Sequence, residues 1–104
     1  MIIVTAERLP DLKIVKTLGI VRGSTIRSRH LGRDILAVFR NIVGGEIHEY
    51  VKLLGEAREQ VIDRMVGEAE ELGANAIVCV RFATSEVMSG AAELMVYGTA
   101  VVVE

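Results

Sequence analysis

Between Gly45 and Gly73 runs one amphipathic stripe, and whatever fold this chain adopts must lay that stripe against something. Ile47, Val51, Leu54, Val61, Met65, Ala69 and Leu72 recur at helical spacing, while Lys52, Glu56, Glu59, Asp63, Glu70 and Glu71 mostly take the other side. Glu46 and Glu49 suit the positive start of a helix, and Gly73 supplies a stop. The spacing predicts a helix from about Glu46 to Leu72, about 40 Å long at 1.5 Å per residue. A ten-residue strand spans only about 33 Å, so one end of this helix is expected to need a further partner.

The flanks read as strands. Ile14 to Val21 carries apolar residues on both parities, Gly23-Ser24 offers a turn, and Ser24 to Ser28 reads as a short extended arm at an edge. Ile35, Val38, Phe39 and Ile42 mark a short helix between Arg33 and Val43, closed by Gly44-Gly45. Asn75 to Ala83 alternates, with Ala76, Val78, Val80 and Phe82 expected to meet the helix and Ile77, Cys79 and Arg81 facing away. Thr84 to Ala91 reads as a polar connection, and Leu94 to Val103, apolar on both parities, as a central strand. The expected class is α+β: one β-α-β-β two-layer domain over residues 1–104. Its three-stranded, mainly antiparallel sheet has the order 1-3-2 and is covered on one face by a short and a long helix.

Composition then points outward. With its ten glycines counted and its two tyrosines left out, the 51% hydrophobic share becomes about 59%, against roughly 45–50% for soluble domains. A lone domain of 104 residues buries only about two-thirds of its extended-chain surface. The excess predicts self-association, with the uncovered sheet face meeting a second copy. No apolar run approaches the roughly 18–20 residues that cross a bilayer, and the first residues lack a basic leader, so the expectation is a cytoplasmic protein without membrane partners. The single cysteine, Cys79, offers neither an internal disulfide nor a multi-thiol metal motif.

Charge is unevenly spread. Residues 1–44 hold eight Lys/Arg against three Asp/Glu, and the remainder four against eleven, within an overall charge of −2. Arg22, Arg27, Arg29, Arg33 and Arg40 cluster with His30 ahead of the acidic helix, which reads as an anion site or, preferably, as an ion-paired subunit contact. The acidic total and the scarcity of aromatic residues (Phe39, Phe82, Tyr50 and Tyr97) argue against nucleic acid. In a head-to-tail ring a basic edge would lie beside a neighbour's acidic helix. For a soft divalent metal the candidates are Cys79, His48 and His30, none at diagnostic spacing. Cys79 reads first as a small buried hydrophobe and His48 as a solvated residue at a helix start. No catalytic constellation emerges, and Gly23-Ser24-Thr25 lacks the spaced glycines and lysine of a phosphate loop.

Four blocks stand out in order: Asn41-Ile-Val-Gly-Gly-Glu46, Leu72-Gly-Ala-Asn-Ala-Ile-Val78 continuing through Val80-Arg-Phe82, Gly90-Ala-Ala-Glu93, and Tyr97-Gly-Thr-Ala-Val101. Together they resemble the YbjQ-like family of small uncharacterised proteins, over nearly the whole chain. The resemblance implies a dodecin-subunit-like β-α-β-β domain assembled as a ring, a pentamer. It also brings a heavy-metal-binding label, with no metal motif that transfers to particular residues here. The leading expectation is a non-enzymatic homo-oligomer that binds a small ligand. The alternatives are a heavy-metal-binding protein and an enzyme that uses the arginine cluster to hold an anionic substrate.

Overall fold

Strand β1 (Ile2–Ile3), strand β2 (Ile14–Arg27), helix α1 (Ile47–Glu71) and strands β3 (Ala76–Met88) and β4 (Ala91–Val103) follow one another in a computed structural model that describes residues 1–27, 47–88 and 91–104. The architecture is α+β, with α1 on one face of a mixed sheet ordered β1-β3-β4-β2. The apolar C-terminal strand is central among the long ones, antiparallel to both β2 and β3, which reproduces the expected 1-3-2 order. The sheet has four strands rather than three, because β1 adds to the outer side of β3 in parallel. The short helix expected over Arg33 to Val43 lies outside the described residues.

Helix α1 stops where the glycine predicts. Gly73 takes φ +86°, and the amides of Leu72, Gly73 and Ala74 donate back to the carbonyls of Ala69, Glu70 and Ala69. The expected excess of helix over strand is overturned. Its 25 residues span about 37 Å, whereas 13 to 14 residues of strand span about 43–46 Å. The strands are longer because Gly23-Ser24 runs straight on inside β2 and the polar Thr84–Met88 segment stays paired within β3. Thr84 and Ser85 are exposed there, where polar side chains cost little.

Val21 and Val96 and Ala100 pack with Val61, Met65 and Ala69 of α1 in the main core, which Ile77 and Val80 join from β3. The helix lies over β2 and β4 and hardly reaches β3. It comes closest at Gly23, where an added Cβ would sit 1.9 Å from the Val61 carbonyl oxygen and 2.7 Å from the Met65 amide nitrogen.

The expected faces of β3 need correction. Ala76 and Val78 point away from α1 and Ile77 points toward it, because a bulge falls between Val78 and Arg81. Cys79 occupies that bulge with φ +57°, which returns Val80 to the helix side. The face away from α1 is also not bare. Val4, Leu9 and Leu12 of the N-terminal segment cover Ala76, Val78, Val101 and Val103. The segment is tied by backbone bonds to Asn75, Ile77, Cys79 and Val80, and Lys13 exchanges two with Glu104. It covers only the half of the face where the strands begin around Ile14 and Ala76. Beyond it the face stays open, with Ile20 73% exposed and Tyr97 39%.

Candidate functional site

Strand register determines which side chains meet on the open face. Arg22 pairs with Tyr97, and Tyr97 pairs on its other side with Arg81, so one row across the sheet reads Arg22, Tyr97, Arg81. Ile20 and Thr99 form the row on one side, Ser24, Met95 and Ala83 the row on the other. The Arg81 guanidinium is fixed by donating through Nη1 to the Thr5 and Val80 carbonyls, at 2.9 and 2.8 Å. Arg22 is exposed and has no hydrogen-bond or ion-pair partner among the described residues.

Of the five arginines singled out in the sequence, only Arg22 and Arg27 fall on described residues, both in β2. Arg27 is placed by its backbone alone, and Arg29, Arg33, Arg40 and His30 lie outside. Arg81 and Tyr97 were not read as partners of Arg22. They are 59 and 75 residues further along, and only the register of three strands brings them together.

A second charged surface lies on α1. Gly55, Glu56, Glu59, Gln60 and Asp63 line a shallow groove of about 620 Å³ on the helix. Seven-residue and three- to four-residue spacings put Glu56, Glu59, Asp63 and Glu70 on one stripe, turned away from the core residues Val61, Met65 and Ala69. Arg64 instead turns toward the sheet edge and donates through Nη1 to the Ser24 carbonyl.

Of the metal candidates, Cys79 and His48 fall on described residues and lie far apart. Cys79 is half-buried against the aliphatic cluster of Ala76, Val78, Val101 and Val103, with its amide bonded to the Ala6 carbonyl at 3.0 Å. His48, placed by its backbone in the first turn of α1, is 21 residues from Ala69, about 30 Å along the helix, and Ala69 is at the level of Ile77 beside Cys79. Among the described residues no three His, Cys, Asp or Glu side chains converge to hold an ion. One thiol in an aliphatic setting is a poor donor set for a divalent metal, which needs several convergent ligands. Nor is any helix among the described residues long and apolar enough to cross a membrane.

Comparison with known proteins places this geometry in a family. The YbjQ family profile, described as "Putative heavy-metal-binding", matches residues 1–104. A UPF0145 protein of Dehalococcoides mccartyi is 59% identical over 104 residues, all of both chains. A UPF0145 protein of Methanosarcina acetivorans is 57% identical over 101 residues, 97% of this chain and 95% of that one. A crystal structure of a protein of unknown function from Pediococcus pentosaceus, assigned to the DUF74 family, shares the fold. Its TM-score is 0.63 at 14% identity, over 100% of this chain and 98% of that one. With one profile spanning its full length and relatives this close across bacteria and archaea, the chain belongs to the YbjQ family of UPF0145 proteins.

Proposed function

We propose that this protein is a non-enzymatic homo-oligomer, a head-to-tail ring of the pentameric kind, whose subunit crevices take a small ligand. The observation that carries the reading is apolar side chains left exposed on each face of the sheet among the described residues. The N-terminal segment stops short of Ile20 and Tyr97 on one face, and α1 stops short of Phe82, 47% exposed, on the other. Leaving such groups in water forfeits about 25 cal/mol for each Å² of apolar surface that a neighbour would cover. Native mass spectrometry of gently purified protein tests the proposal. A closed assembly of one defined size, with or without a retained small molecule, is the expected result, and a monomer at micromolar concentration overturns it.

Heavy-metal binding is the second reading, favoured by the description attached to the family profile. Since the described residues of one copy supply no convergent ligand set, a site would have to be completed by a neighbouring copy or by residues such as His30. Elemental analysis of protein purified without chelator decides between the two. Stoichiometric zinc or copper that is lost in Cys79→Ala supports the metal reading, and absence of retained metal removes it.

A further inference from the structure

Two surfaces of this chain carry opposite charge and cannot meet within one copy. The arginine row lies on the sheet face away from α1, and the acidic stripe lies on the side of α1 turned from the sheet, so a whole sheet and a helix stand between them. We infer that the Arg22–Tyr97–Arg81 row of one copy docks on the Glu56–Glu59–Asp63 stripe of the next. This rests on the self-association proposed above and adds which surfaces meet.

The dimensions agree. Directly opposed strand positions are about 5 Å apart, so Arg22 and Arg81 straddle Tyr97 at about 10 Å. The seven residues from Glu56 to Asp63 rise about 10 Å along α1. A neighbour's helix laid across the strands therefore matches its two outer carboxylates to the two guanidinium groups, with Glu59 toward the Tyr97 phenol. Ile20, one row along, gives the contact an apolar rim, and the helix surface is low enough to accept it, since a Cβ at Gly55 or Gly67 would meet nothing. Charge-assisted bonds from arginine to carboxylate are the kind that survive at such a boundary. Arg22 has no partner among the described residues, while Arg81 already holds Thr5 in place. Because the two surfaces differ, each copy uses one of them toward each neighbour, and the contact is heterologous.

Charge reversal tests the contact on the intact chain. Arg22→Glu and Glu59→Arg are both exposed changes, so each variant should keep its far-ultraviolet circular dichroism while its assembly dissociates at a protein concentration at least about tenfold higher than wild type. The double variants R22E/E56R and R22E/D63R place the exchanged charges opposite each other for one or the other direction of the neighbour's helix, and one of the two should recover the wild-type assembly mass. Single variants that assemble like wild type, or double variants neither of which assembles better than R22E alone, overturn this contact while leaving self-association intact. A monomeric wild-type chain overturns the self-association itself and this contact with it.

Discussion

Gly23 shows how much can hinge on one missing methyl group. Its Cα–H faces α1 at the closest approach of helix and strand, and any β-carbon there collides with backbone atoms of Val61 and Met65 that cannot swing aside. Gly23→Ala is expected to destabilise the fold by about 3 kcal/mol, measured by urea denaturation, since overpacking a rigid contact costs at least this order. In the sequence Gly23-Ser24 looks like a turn, because a glycine chosen for close approach and one chosen for a bend are the same letter. Cys79 is the opposite case. Its thiol invites a chemical reading, yet its backbone at φ +57° is what the fold uses. Cys79→Gly should therefore be close to neutral, while Cys79→Val, β-branched in a left-handed conformation, should cost about 2 kcal/mol in the same assay.

At the scale of elements, the helix was legible almost to the residue, because its stripe is long and both ends carry their own signals. Strand order was legible too. A chain with one strand apolar on both parities has few ways to place it, and the crossover rule leaves the centre. The bulge was not. Strict alternation from Ala76 to Phe82 assigns faces by parity, and a single inserted residue reverses the assignment on one side of it while leaving no mark in composition. Nor did anything in the first thirteen residues announce that Val4, Leu9 and Leu12 would cover a sheet. One side chain joins two elements here in place of a backbone ladder. Asn75 donates through Nδ2 to the Val103 carbonyl at 2.9 Å and accepts from the Val103 amide at 2.7 Å, closing the β4 end like one more paired residue. Asn75→Ala loses both bonds and should cost about 1–3 kcal/mol, read as a lower midpoint of thermal unfolding, with Asn75→Asp, which keeps only the acceptor, in between.

For the whole molecule, folding and assembly are expected to be linked. If association covers the exposed apolar side chains of the sheet, the thermal midpoint should climb as protein concentration is raised from about 1 to 100 μM, by mass action on the associated state. A midpoint independent of concentration across that range would speak for a fold sufficient in itself. The candidate surfaces were half legible: the uneven charge was plain in the sequence, but which arginines flank which aromatic ring depends on register alone. The N-terminal segment also decides where the two ends of the polypeptide come out. Ile2, Ala76 and Val101 share one row of the sheet, and Glu104 pairs with Lys13 only three residues beyond. The termini thus emerge at a common pole, some two strand spacings or about 10 Å apart. A few-residue linker could join them in a circular permutant, and an affinity tag on either one would project away from the Arg22 row further along the sheet.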